Sequence, residues 1–407
     1  MAPHLVEPGA RILIDGTMAR GGGGYTYLVN ILHRLADHAP QAKFLTLIRS
    51  MRLAQELPAR DNLEVRLLPP VGPAGRLRFV LGEAARIAAD WRADLYFSAG
   101  EAAPPNAHCP TIASFRNPNI FPPPERYSDS APGTEWPLRD RLRFALLRNI
   151  SRLSALTCDR IMFVSEDSAR WIGETAGLPA ERREVVHHGI DGDIWRRAGS
   201  EPRPHDRPYI LSVSSIYRYK NFVRLIEAYR QLVARRPELP DLVLIGDDQD
   251  PAYSARMREA RRAAGPLAER IHILGEVPYS RIPAWYAGAE LFVFPSYLET
   301  FGHPLLEAMA ARAPVVAADI PVFREIGRDA ALYADPFRSE SLADAMEEVL
   351  FGFDTHRQLV KRGDEVVRDF SWDRTSARLL GMFHAVLAEK VSAGLCWRTL
   401  VPTVLLR

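Results

Sequence analysis

Cysteine is nearly absent from this 407-residue chain: there are three, Cys109, Cys158 and Cys396, far apart. Their spacing makes neither a disulfide framework nor a zinc motif. That is the usage of a reducing compartment, so a cytoplasmic protein is expected. Lysine is equally scarce. Only residues 43, 220, 361 and 390 are lysines, against 48 arginines. Net charge is almost missing, at +2, which gives no pull toward nucleic acid. No apolar run reaches the ~18–20 residues of a spanning helix. The opening MAPHLVEPGARILID has no basic start followed by an apolar core, so no secretory leader is expected. Short-period repeats and low-complexity segments are missing too. What is present is 47% hydrophobic and 25% charged residues, enough to bury cores in about two domains.

Short β-rich runs alternate with helical stretches along the whole chain. In the first half the predicted strands are Arg11–Asp15, Lys43–Ile48, Leu63–Leu68, Asp94–Ser98, Thr111–Phe115, Arg160–Val164 and Glu184–His188. In the second they are Tyr209–Val213, Leu242–Ile245, Ile271–Leu274, Leu291–Phe294 and Val315–Ala318, all continuously apolar as buried parallel strands are. Amphipathic helices fill the gaps, at Tyr25–Asp37, Phe222–Arg235, Arg256–Ala264, Ile282–Ala287, Leu305–Ala311 and Leu342–Leu350. This is an α/β pattern of two doubly wound sheets. Residues 196–207 are polar and proline-bearing, and are predicted to be a linker without helix or strand. The expected division is 1–195, the linker, and 208–373, with a helix near 374–390 crossing back and an apolar tail to residue 407. Clefts between such domains hold ligands at the carboxyl ends of strands.

The strongest motif is Glu299-Thr-Phe-Gly-His-Pro-Leu-Leu-Glu307, directly after the strand Leu291–Phe294. Its order is strand, glycine turn, then a helix opened by Pro304, where a missing N–H costs nothing. The free amides of that helix start suit a phosphate. Two carboxylates flanking an anion site make sense if the ligand also carries hydroxyls. On spacing alone, Glu299 as a dipole-facing acid and Glu307 as a solvated one remain open. Gly21-Gly-Gly-Gly24 is a loop through which backbone can approach a ligand, or simply a turn before the helix.

Asp191-Gly-Asp193 spells a metal-type D-x-D, but no ligand set with metal spacing is expected. Asp247, Asp248 and Asp250 read as a solvated loop, and adjacent His187 and His188 would point to opposite faces of a strand. The stretch 137–156 reads as a basic helix. It has five Arg and one Asp between 139 and 152, and Arg141, Arg148 and Arg152 lie within roughly 40° of one another. A solvated face and an anionic-membrane contact both fit it.

The motif, followed by Ala-Met-Ala, resembles the C-terminal signature of retaining glycosyltransferases of the GT-B fold, glycosyltransferase family 4. Other segments agree in order: Phe163-Val-Ser-Glu166, His188-Gly-Ile-Asp191, Ser212-Val-Ser-Ser-Ile-Tyr-Arg-Tyr-Lys-Asn221, Leu274-Gly-Glu-Val277, Tyr333-Ala-Asp-Pro336 and Ser371-Trp372. The resemblance covers nearly the whole chain and is tightest from about residue 160 to 390.

It implies two Rossmann-like domains facing across a cleft, the first for the acceptor and the second for the donor. It implies transfer of a hexose from a UDP- or GDP-linked sugar to a sugar or lipid-linked hydroxyl, with retention and without metal or other cofactor. The setting would be bacterial polysaccharide, glycolipid or glycoconjugate synthesis at the inner face of the membrane. By motif position, Glu307 holds the ribose diol and Glu299 the transferred sugar. Phe301, Gly302, His303, Pro304 and Leu305 form the donor turn, and Val277 lies under the base. Lys220 neutralises the diphosphate, which Gly21, Gly22, Gly23 and Gly24 face. Ser214 stands where relatives often carry an arginine, so Arg218 or Arg116 is the alternative cation. Arg116 or Asn117 stands where many carry a histidine. A nucleotide-sugar epimerase, a sugar phosphorylase and a noncatalytic nucleotide-sugar-binding subunit remain open. Turnover without acceptor marks an epimerase, and a need for phosphate marks a phosphorylase.

Overall fold

The computed structural model describes residues 7–19, 22–57, 59–121 and 138–392; Gly21, Cys396 and the tail from residue 393 fall outside. Among the described residues, thirteen strands form two wholly parallel sheets. The first contains β1 (Arg11–Asp15), β2 (Lys43–Ile48), β3 (Leu63–Leu67), β4 (Leu95–Ser98), β5 (Thr111–Phe115), β6 (Arg160–Phe163) and β7 (Arg183–Val185), in the order 3-2-1-4-5-6-7. The second contains β8 (Tyr209–Val213), β9 (Asp241–Ile245), β10 (Ile271–Gly275), β11 (Leu291–Phe294), β12 (Val315–Ala318) and β13 (Leu332–Ala334), in the order 10-9-8-11-12-13. Strand order reverses beside β1 and beside β8. These are the points where loops diverge and open a crevice at the strand ends.

Both sheets are covered on both faces, as continuously apolar strands require. In the register Leu13 sits opposite Leu45 and Tyr96, and all three are fully buried. The C-terminal helix Trp372–Ser392 returns to the first half, where Leu379, Leu380 and Phe383 join the core of Ile12, Leu28 and Ile31. The two connections between the halves touch: a Cβ at Gly189 would stand 2.6 Å from Trp372 Cα and nearer still to its backbone N.

Several local expectations need correction. The helix predicted from Tyr25 starts at Gly22, so Gly22, Gly23 and Gly24 form its first turn rather than a loop. The linker is not free of helix: Gly192–Arg197 is helical and Ala198–Ser200 forms a 3-10 turn. Asp191 caps this helix through the Asp193 amide, and Trp195 is buried edge-on to Tyr286 at 5.4 Å. The strand predicted to His188 ends at Val185, while β13 was not foreseen. Asp250 is no solvated loop residue; it caps the helix Pro251–Arg262 and is buried.

Candidate active site

The signature residues converge because the segments after β8 and β11 are stitched together by backbone. Tyr219 O accepts from Tyr297 N at 3.0 Å and from Ser296 Oγ at 3.1 Å. The Asn221 amide side chain donates to Pro295 O (3.1 Å) and Pro336 O (2.6 Å). Asn221 takes a left-handed φ of 63° and closes the short turn Arg218–Lys220 onto the helix Phe222–Arg235. Lys220 Nζ, 79 residues away in sequence, thereby meets Glu299 Oε1 in an ion pair whose side chains are only 11% and 10% exposed. A lysine and a carboxylate so enclosed attract more strongly than a pair at a surface.

Glu299 leads into a sharp turn. Gly302 has φ +88°, and a Cβ there would lie 2.6 Å from the Phe323 ring, so glycine is required twice over. The helix it opens runs His303–Ala310, with no side-chain cap on its first amides. It begins at His303, two residues before the predicted start. Phe301 is buried, and Pro304 occupies the first turn. Leu305 points into the core and its amide donates to Gly302 O at 3.0 Å, so it presents no free donor to a ligand.

Glu307 sits one turn further on. Its Oε2 accepts from Tyr286 Oη at 3.1 Å, and Tyr279 bonds it as well. Burial pushes its carboxyl up to about 7, against the opposing pull of the two tyrosines. Between the ordinary value near 4.5 and about 7 the folded protein holds a proton that the unfolded chain releases, so stability falls as pH rises through that window. Glu307→Gln removes the buried charge. The variant is expected to match the wild type at pH 4.5 and to exceed it at pH 8 by on the order of 1–3 kcal/mol. Urea midpoints at the two pH values check this; a gap that does not change with pH would contradict it.

Of the alternative cations, Arg218 is committed elsewhere. Its Nε donates to the buried Asp250 Oδ2 at 3.0 Å. Ser214 is tied by its amide to Ile245 O at 2.9 Å. Val277 is half-buried and packs on the main core. Asn117 caps its own turn, accepting from Asn119 N at 3.0 Å, while its amide goes to Glu101.

Arg116 does reach the turn after Glu299, its carbonyl accepting from Thr300 Oγ1 at 2.6 Å. It bonds Ala99 O, lies 4.8 Å over the Tyr27 ring, and leaves Nη1 buried without a partner. Gly24, in the first turn of the glycine-started helix, stands beside it, with a Cβ position 3.8 Å from Nη2.

Two histidines at this junction were not foreseen as a pair. His188 Nδ1 lies 2.6 Å from His303 Nε2, one ring donating to the other. Tyr27 and Trp372 stack around them, at 5.0 and 5.8 Å from His188. Burial, helped by the Arg116 charge, drives the His303 pKa down to about 4, and His188 is lowered as well. Both rings are neutral at pH 7.

One group among the described residues has the spacing of a metal site: His205, Asp241 and His272. Both histidines bond Asp241 Oδ2, at 3.2 and 3.1 Å, while Arg207 and Arg270 approach Oδ1. A dication there would face two guanidiniums for one carboxylate. The cluster also lies at the opposite strand ends from the signature, and it ties the linker to the sheet. The Asp193 carboxylate pairs with Arg196, while its amide bonds Asp191.

Comparison with known proteins fixes the family. Residues 21–194 match Glycosyltransferase Family 4 and residues 193–366 match Glycosyl transferases group 1. The chain belongs to this glycosyltransferase family. The O-antigen chain mannosyltransferase B of Escherichia coli is 26% identical over 294 residues, covering 69% of this chain and 72% of that protein. The D-inositol 3-phosphate glycosyltransferase of Nocardia farcinica is 30% identical over 241 residues, 57% of this chain and 53% of that one. The match thus spans about half the length of the latter relative. Among solved structures, Anabaena Alr3699/HepE in complex with UDP-glucose superposes with a TM-score of 0.68 at 19% identity, covering 94% of this chain and 99% of that one. The fold of this glycosyltransferase is therefore GT-B. Among the described residues, no helix is long and apolar enough to cross a membrane.

Proposed function

We propose that this glycosyltransferase moves a hexose from a nucleoside diphosphate sugar to a hydroxyl acceptor, with retention of configuration and without a metal ion. The observation that carries the reading is the enclosed Lys220–Glu299 pair beside a helix start that no side chain caps, with Glu307 one turn beyond. Glu307 would take the ribose diol, releasing its tyrosines, and Glu299 the transferred sugar. Lys220 and the turn amides would hold the diphosphate as it leaves, which is the charge that grows in the transition state. The acceptor hydroxyl then attacks the anomeric carbon on the face the phosphate leaves. The C–O bond to phosphate breaks, a new C–O bond forms, and the departing phosphate oxygen takes the hydroxyl proton.

The O-antigen chain mannosyltransferase among the relatives supports a sugar-polymer acceptor, and the solved neighbour in complex with UDP-glucose supports a nucleotide-sugar donor. Peripheral contact with an anionic membrane through the helix Leu138–Thr157 belongs to the same proposal. Two arginines of its basic stripe have described side chains, and one of them is turned toward the protein. Arg148 Nε donates to Ile120 O at 2.9 Å, Arg152 is exposed, and the Arg141 side chain lies outside the described residues.

Incubation with UDP- and GDP-sugars plus a bacterial glycolipid extract, in EDTA, tests the reading. Free nucleoside diphosphate should accumulate only when acceptor is present. Loss of release on chelation, restored by Mg²⁺ or Mn²⁺, would overturn the metal-independent step.

A further inference from the structure

One carboxylate holds the two halves together more than any other described side chain of the cleft. Glu325 sits in the helix Pro321–Gly327 of the second half. It accepts from Glu166 N at 2.8 Å, from Asp167 N at 3.0 Å, and from His187 Nε2 at 2.8 Å. All three donors belong to the first half. Burial alone would raise this carboxyl, but the bonds from His187 and the two amides outweigh it and hold it below the usual range.

Glu325 is not needed merely to cap the helix Glu166–Ala176. Ser165 does that from within, with Oγ accepting from Ser168 N and a reciprocal Ser168 bond. What matters is which residues adjoin those it grips. Ser165 precedes Glu166, and its Oγ donates to Thr300 O at 2.7 Å. His188 follows His187 and bonds His303. Thr300 Oγ1 in turn donates to Arg116 O at 2.6 Å. Every one of these contacts lands on the turn between Glu299 and His303.

We propose that Glu325 is a positioning residue for transfer: a latch that holds the halves closed so that Ser165, Arg116 and His188 fix the donor turn. Its kinetic part rests on the donor-site reading above; its geometric part does not. Closure and a finished donor turn are then one event, because releasing Glu325 frees the segments that carry Ser165 and His188. A ligand that needs the closed form binds more weakly in proportion to the fraction closed.

Glu325→Ala and Glu325→Gln in the full chain test this by X-ray scattering and by titration with UDP and GDP. Glu325→Ala should enlarge the radius of gyration of the unliganded protein. It should weaken whichever nucleotide the wild type binds about tenfold and raise the donor KM similarly, with kcat at saturating donor within about twofold. Glu325→Gln, which keeps an acceptor for the amides, should fall between. Unchanged dimensions in a folded Glu325→Ala variant would overturn the latch, as would a KM equal to wild type with only thermal stability lost. If that variant does not fold, His187→Gln removes a single contact and must move the dimensions the same way, or the proposal falls. A wild type that binds neither nucleotide defeats the donor reading instead, and the scattering result still decides the latch.

Discussion

Lys220→Met is expected to lower transfer by about 10²–10³-fold, the scale of removing one preorganised donor from a developing negative charge. The lysine lies in a short turn whose backbone is bonded to Ser296 and Tyr297, so its place is fixed before any ligand arrives. Its present partner is Glu299. A diphosphate carries more charge than one carboxylate and draws the ammonium toward itself, which frees Glu299 for sugar hydroxyls. Methionine keeps most of the volume but leaves Glu299 enclosed and uncompensated, so some stability is lost too. The two effects separate by measurement. Initial rates at saturating donor report the chemistry, and denaturant midpoints report the unpaired carboxylate. A folded variant with wild-type rates would remove Lys220 from the mechanism.

Gly189→Ala should be severely destabilising for the addition of one methyl. The added carbon would lie inside contact distance of Ser371 and Trp372 backbone, where neither connection between the halves can give way alone. Overpacking against flexible side chains costs about 1–3 kcal/mol. Here the obstacle is backbone, so a loss of about 4 kcal/mol or more is expected, the range tied to a specific lesion. Gly199→Ala, with nothing within 4 Å of its Cβ position, is the control and should stay within about 0.5 kcal/mol of wild type. Urea denaturation of the three proteins decides it; a Gly189→Ala midpoint close to wild type would mean that the two crossings are not locked.

The sheets were legible because a parallel strand buried on both faces has to be continuously apolar, as Leu291–Phe294 and Val315–Ala318 are. Leu332–Ala334 was missed because three residues carry too little pattern. The glycine run misled for a physical reason. Glycine is a poor helix former, but the packing of Tyr27 and Leu28 holds that first turn anyway. Asp250-Pro251 carried a helix-start signal that the neighbouring aspartates hid.

In the site, Glu299, Glu307 and Lys220 could be found because one motif and its context hold them. The meeting of Lys220 with Glu299, the burial of Glu307 between two tyrosines, and the pairing of Arg218 with Asp250 depend on tertiary structure. His187 and His188 illustrate the limit. Their side chains do go to different partners, Glu325 and His303, but those lie 138 and 115 residues away, and no spacing rule reaches that far.

The donor assignment is tested most directly by calorimetric titration of UDP and GDP into the wild type and into Glu307→Ala. The wild type should bind one of the two nucleotides at one site per chain. The folded variant should bind it more weakly by roughly 1.5–3 kcal/mol, the worth of hydrogen bonds to a charged group. Equal affinity in the two proteins, or no binding of either nucleotide by the wild type, would contradict a donor site built on Glu299, Lys220 and Glu307.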